Sequence, residues 1–180
     1  MAHAKGSIAV VFGSNSPQEG EPDYAEARKL GRLLAQAGYV VATGGYFGTM
    51  EAASRGAREA GGYVIGVTTS RFDGVRLHPN AYLDEEIKFP TLFERLRYLV
   101  TLADAWVALP GGIGTLSEVA LTWSLMQVGE MKRQPFVLVG EQWRKTIGEF
   151  STDYYVHPQY RELVEYADTV QEVLALLNRT

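Results

Sequence analysis

The 180-residue sequence predicts a single α/β domain with a doubly wound, mainly parallel sheet, and three observations carry that prediction. Five short apolar runs recur along the chain. Each is continuous rather than alternating in polarity, as in strands covered on both faces. Helical patterns separate them, so strand and helix alternate throughout.

The five strands are expected at residues 7–12, 39–43, 63–67, 105–109 and 136–139. The first helix is announced by Asp23 with Glu26 three positions later, the spacing of a capping box. Tyr24, Ala27, Leu30, Leu34 and Ala37 then share one face, and Gly38 ends it. A second helix, about residues 49–60, closes at Gly61-Gly62. A third covers about residues 92–102, and a fourth starts near Gly114 and carries Val119, Leu121, Leu125 and Met126. The last follows Asp168, with Gln171 at the capping-box position and Val173, Leu174, Leu176 and Leu177 along it. Right-handed crossovers between such elements give a Rossmann-like fold, one domain over residues 1–180. Residues 68–90 and 141–165 have no such regularity and are read as surface excursions carrying oligomer contacts.

Composition excludes several functions. The hydrophobic share of 46% and charged share of 21% are those of an ordinary globular domain. A formal net charge of −4 argues against a nucleic-acid-binding surface. The absence of cysteine removes disulfides, thiolate metal sites and thiol nucleophiles. No apolar run approaches the ~18 residues of a membrane span, and residues 8–12 are too short for a signal-peptide core, so no membrane partner and a cytoplasmic location are expected. His3, His78 and His157 stand apart without ligand spacing, so no metal site is expected, and no cofactor.

In a doubly wound sheet the loops leaving the first and fourth of these strands flank a crevice where ligands bind. The first loop reads Gly13-Ser14-Asn15-Ser16, and the fourth reads Pro110-Gly111-Gly112-Ile113-Gly114-Thr115 and opens a helix. Three glycines within four positions before a helix let the backbone approach an anion, which the helix amides and dipole attract; a phosphate fits. The other reading is a tight strand-to-helix turn and nothing more. No Gly-Lys-Ser/Thr closes this loop and no Gly-x-Gly-x-x-Gly follows the first strand, which disfavours ATP hydrolysis and NAD binding. A second glycine loop, Gly44-Gly45-Tyr46-Phe47-Gly48-Thr49, suggests a ligand with phosphate, sugar and base lying across the crevice.

Thr115 and Glu118 also have capping-box spacing, so Glu118 either satisfies its helix's first amides or serves the crevice. Arg95 falls between Leu99 and Leu102 on the edge of an apolar stripe and needs a carboxylate or phosphate partner, either Glu118 or a bound nucleotide. Arg97 projects near Phe93, toward solvent. Tyr154, Tyr155 and Tyr160 are read as packing or dimer contacts, and Met50, Trp123 and Met126 as core.

The segment LFERLRYLVTLADAWVALPGGIGTLSE, residues 92–118, resembles the LOG family, which also goes by "possible lysine decarboxylase". Its signature, Pro-Gly-Gly-x-Gly-Thr-x-x-Glu, is matched from Pro110 to Glu118. The likeness extends back through VFGSNS and ATGGYFGTMEAASRGAREAGGYVIGV and covers most of residues 7–140. The resemblance implies a Rossmann-like homodimer that cleaves the N-glycosidic bond of a nucleoside 5′-monophosphate, AMP or N6-modified AMP, to free base and ribose 5-phosphate. In the best-known members this activates cytokinin precursors. It would place the catalytic pair on Arg95 and Glu118 and the phosphate cradle on Gly111, Gly112, Gly114 and Thr115, with Ser14, Gly44 and Gly45 lining the same pocket. Leu96 and Ser117 depart from the pattern, standing where many members carry a lysine and an acid. Nothing identifies a Schiff-base lysine for decarboxylation among Lys5, Lys29, Lys88, Lys132 and Lys145. The alternative is a non-catalytic nucleotide or cofactor binder of the same fold, such as a molybdenum-cofactor carrier; it would not need both Arg95 and Glu118.

Overall fold

A computed structural model describes residues 6–74 and 77–178; His3 and Lys5 lie outside them. Seven strands form one fully parallel sheet: β1 (Ile8–Phe12), β2 (Val40–Thr43), β3 (Val64–Thr69), β4 (Glu85–Phe89), β5 (Ala105–Ala108), β6 (Phe136–Val139) and β7 (Glu165–Ala167). Their order is β4-β3-β2-β1-β5-β6-β7. β1 is central, with Val10 opposite Ala42 of β2 on one side and Trp106 of β5 on the other. The chain winds outward from β1 in one direction and then, from β5, in the other, so the reversal falls between β1 and β5.

The helices are α1 (Pro22–Gln36), α2 (Thr49–Glu59), α3 (Leu92–Thr101), α4 (Ile113–Gln127), α5 (Glu141–Phe150), α6 (Pro158–Arg161) and α7 (Val170–Leu177). Successive residues of each strand face opposite sides, which is why continuous apolar runs are needed here. Ala9 and Val11 pack with Leu30 of α1, Ala53 of α2 and Val173 of α7. Val10 and Phe12 pack with Leu99 of α3, Val119 of α4 and Trp143 of α5. Each large side chain so buried contributes about 1.5–3 kcal/mol, so both layers are needed to hold the sheet. Among the described residues, no helix is long and apolar enough to cross a membrane.

The two stretches read as irregular contain structure. Residues 68–90 hold a 3-10 turn, Ser70–Phe72, and the edge strand β4; residues 141–165 hold α5, α6 and the start of β7. β4 reads EEIKF and is only half covered, so its charges protect a sheet edge instead of marking a loop. Tyr154 and Tyr155 are exposed and stack edge-to-face on each other at 4.8 Å rather than entering the core.

Helix starts also differ from the capping-box expectations. Pro22 occupies the first turn of α1, where a missing N–H costs nothing, so Glu21 becomes the N-cap and Asp23 lies inside the helix. α7 is capped one residue later than expected: Thr169 is the N-cap, and the Glu172 carboxylate accepts from Asp168 N at 2.9 Å and Thr169 Oγ1 at 3.0 Å. α4 begins at Ile113 with Gly112 as N-cap, so Thr115 and Glu118 are both inside the helix and form no capping box.

Candidate functional site

The loops leaving β1 and β5 do flank a cleft, of about 450 Å³. Its floor near β1 is fixed by α2, whose Thr49 donates from both N and Oγ1 to Ser14 O at 2.9 and 3.0 Å. Ser14 Oγ in turn accepts from Ser16 N at 3.1 Å, and Ser14, Asn15 and Ser16 all line the cleft.

The opposite wall is the start of α4. Gly112 has no side chain to cap the helix, and its carbonyl accepts the first helical bond, from Leu116 N at 2.9 Å. The amides of Ile113, Gly114 and Thr115 therefore have no intrahelical acceptor, and these three residues and Gly112 line the cleft. Open amides at the positive end of a 15-residue helix can hold an anion.

Arg95 reaches the cleft from α3, which is capped by Thr91: its hydroxyl accepts from Glu94 N at 3.2 Å. Arg95 is only 7% exposed. Its Nε donates to Val67 O at 2.8 Å and its Nη2 to Gly44 O at 3.2 Å, which ties it to the ends of β3 and β2. The Tyr46 ring lies 5.8 Å from its Cζ, a cation–π contact. Tyr46 is itself held, donating to Thr69 O at 3.1 Å and accepting from Thr69 N at 2.8 Å. The remaining nitrogen, Nη1, stands 3.7 Å from Glu118 Oε1.

Glu118 is 8% exposed on the inner face of α4. Burial pushes its carboxyl up to about 7, and the Arg95 cation only partly offsets that. A carboxyl poised near neutrality in a cleft, facing a fixed cation and a row of free amides, can take or give a proton beside a bound phosphate ester.

The structure thus brings Ser14, Arg95, Gly112, Gly114, Thr115 and Glu118 to one cleft. Gly44, Gly45 and Gly111 are not among the residues that line it, and each has a backbone group engaged within the protein. Gly44 O serves Arg95, Gly45 N donates to Thr43 Oγ1 at 3.1 Å, and Gly111 N donates to Gln142 Oε1 at 2.9 Å. Sequence reasoning missed Tyr46, Phe72, Leu77 and Leu92 as lining residues; Met50, read as core, is buried as expected and also lines the cleft. Tyr46 carried a usable signal inside a glycine loop; Phe72 and Leu77 sit in the stretch without periodicity. Ser117, one of the two departures noted above, donates to Gly114 O at 2.7 Å, and Leu96 is partly buried against the core. Trp123 and Met126 are core, as expected. Among the described residues no cluster of histidine or acidic side chains could hold a metal ion.

The model of the family described as "Possible lysine decarboxylase", the description the LOG family carries, matches residues 50–177. The chain belongs to the LOG family. A relative from Mycobacterium tuberculosis named cytokinin riboside 5′-monophosphate phosphoribohydrolase is 30% identical over 164 residues, 85% of this chain and 86% of that one. An uncharacterized protein of Archaeoglobus fulgidus is 34% identical over 101 residues, 56% of this chain and 64% of that one. Among solved structures, the X-ray structure of TM1055 matches with a TM-score of 0.75 and 29% identity, covering 97% of this chain and 99% of that one. The molybdenum cofactor carrier protein of Chlamydomonas reinhardtii matches with a TM-score of 0.74 and 28% identity over 95% of each chain. The LOG fold therefore accommodates proteins named for catalysis and for carriage.

Proposed function

We propose that this protein hydrolyses the N-glycosidic bond of a nucleoside 5′-monophosphate, AMP or N6-modified AMP, releasing the base and ribose 5-phosphate. The observation that carries this reading is the buried Glu118, 3.7 Å from the anchored Arg95 and in one cleft with the open amides of α4. The 5′-phosphate sits on those amides, which sets the sugar beside Glu118. As the bond to the base lengthens, positive charge develops on the anomeric carbon and ring oxygen; the ionised carboxylate stabilises it. The base departs with the bonding pair; Glu118 takes a proton from the water whose oxygen bonds to the anomeric carbon and passes that proton to the base, which returns Glu118 to its carboxylate. Arg95, with Nε and Nη2 held by carbonyls, is a fixed counter-charge that orients the carboxylate. A LOG relative named as a phosphoribohydrolase supports the same reading.

The test is chromatography of AMP and N6-isopentenyl-AMP incubated with the protein, with Glu118→Gln alongside. Free base and ribose 5-phosphate from the wild type, lost by a factor of about 1,000 or more in the folded variant, is the expected result. Adenosine is expected to react poorly, since it lacks the phosphate that positions the sugar. Tight nucleotide binding without turnover would instead favour the carrier reading that the Chlamydomonas likeness supports.

A further inference from the structure

The loop that presents the α4 amides is itself held by a residue outside the cleft. Leu109 N donates to Phe12 O at 2.9 Å, and Leu109 O accepts from the buried Trp143 Nε1 at 3.0 Å. Pro110 has no N–H. Gly111 N donates to Gln142 Oε1 and Gly111 O accepts from Gln142 Nε2, both at 2.9 Å. One side-chain amide thus engages both backbone groups of a single residue, as a neighbouring strand would. Both backbone groups of Leu109 and both of Gly111 are thus engaged before the first open amide is reached.

The anchors are two consecutive residues in the first turn of α5, just after β6. Gly140 at their head has φ 95 and donates from N to Ala167 O at 2.9 Å, which fixes that turn to β7. The Cβ of any other residue at position 140 would stand 3.5 Å from Pro110 Cγ, so the two loops approach each other there.

We infer that Gln142 is a positioning residue for phosphate binding: by clamping Gly111 it sets where the open amides of Ile113, Gly114 and Thr115 point. This rests on the phosphate reading above. It also removes Gly111 from the set of donors to the ligand. Gln142 is exposed and its side-chain hydrogen bonds go to Gly111, so its loss is expected to leave the fold intact while the amides lose their fixed aim.

The experiment compares wild type, Gln142→Ala and Gln142→Glu by calorimetric titration with ribose 5-phosphate, by KM and kcat on AMP, and by thermal melting. For Gln142→Ala, affinity for ribose 5-phosphate falls and KM rises by about fivefold to tenfold as the amides lose their aim, with kcat within about twofold and the melting temperature lowered by no more than a few degrees for the lost bonds to Gly111. Gln142→Glu keeps the acceptor for Gly111 N, loses the donor to Gly111 O and adds a negative charge near the anion, so it binds more weakly still. A wild type that binds ribose 5-phosphate with both variants equal to it overturns the role of Gln142 alone. A fall in kcat with KM unchanged also overturns it. A wild type that binds no ribose 5-phosphate overturns the phosphate reading and this inference with it.

Discussion

The two glycine loops of the site are near twins in sequence, Gly44-Gly45-Tyr46-Phe47-Gly48-Thr49 and Gly111-Gly112-Ile113-Gly114-Thr115, and opposite in construction. The first is sealed. Gly44 O is taken by Arg95, Gly45 O accepts from Asn80 N at 2.9 Å, and Tyr46 O accepts from Asn80 Nδ2 at 3.0 Å. A Cβ on Gly44 would collide with Arg95 Nη2 and Met50 Sδ. The second is open: a Cβ on Gly112 or Gly114 would meet nothing within 4 Å, and both residues face the cleft. Glycine in the first loop answers to the protein's own packing. A side chain at positions 112 and 114 would meet no described neighbour, which is what the proposed phosphate site requires.

The largest break in that comparison is expected at the sealed loop. A methyl group in Gly44→Ala would collide with Arg95 Nη2 and stand 2.6 Å from Met50 Sδ, so the guanidinium is expected to shift off Gly44 O. A displacement of about 1 Å in the counter-charge of Glu118 costs roughly 100-fold in turnover, and overpacking costs about 1–3 kcal/mol of stability. Steady-state kinetics and urea unfolding measure the two. Wild-type turnover in a stable Gly44→Ala protein would show that Arg95 does not depend on this contact.

This asymmetry marks the limit of what was legible in the sequence. Both loops could be seen as glycine-rich and placed after strands, but their difference depends on a guanidinium arriving from α3, some fifty positions away. Arg95 itself was legible, because it interrupts an apolar stripe. Its acceptors, the carbonyls of Val67 and Gly44, were not, since a carbonyl is the same in every residue. Glu118 was legible only as an alternative between cap and site; the start of α4 at Ile113 removes the cap, and helix starts depend on a backbone turn. The five inner strands were readable because both faces are buried. β4 and β7 lie at the sheet edges, and α5 buries only Trp143 and Ile147, so their patterns are too thin to be recognised.

Glu118 lies where the sealed and open regions meet, and its ionisation measures how dry that meeting point is. Its carboxyl moves from 4.5 in the unfolded chain to about 7 in the fold, so the folded state binds the proton more tightly. The associated stability is fully present below about pH 4.5 and is lost as pH rises through about 7, reaching a cost of about 3 kcal/mol by about pH 8. Glu118→Gln keeps the neutral shape. It is expected to match wild type near pH 4 and to exceed it by about 3 kcal/mol near pH 8, by urea unfolding at the two pH values. A difference independent of pH would mean that water reaches the carboxylate and that the pair is not isolated.

The smallest effect is expected at the open loop, and it is the sharpest test of why glycine is there. Gly114 lies in the first turn of α4 with room for a methyl group, so Gly114→Ala leaves stability unchanged or raises it by about 0.5 kcal/mol through the unfolded chain's lost freedom. The same methyl group would stand between the helix amides and a phosphate. KM for AMP is then expected to rise by about tenfold while kcat holds, since the interaction lost is made equally in ground and transition states. The pairing of an unharmed fold with weakened phosphate binding is what separates this loop from Gly44, where fold and turnover fall together. Were Gly114→Ala to leave KM untouched, the glycines of α4 would be no more than a turn, and the ligand's phosphate would have to be sought at Ser14 and Ser16 across the cleft.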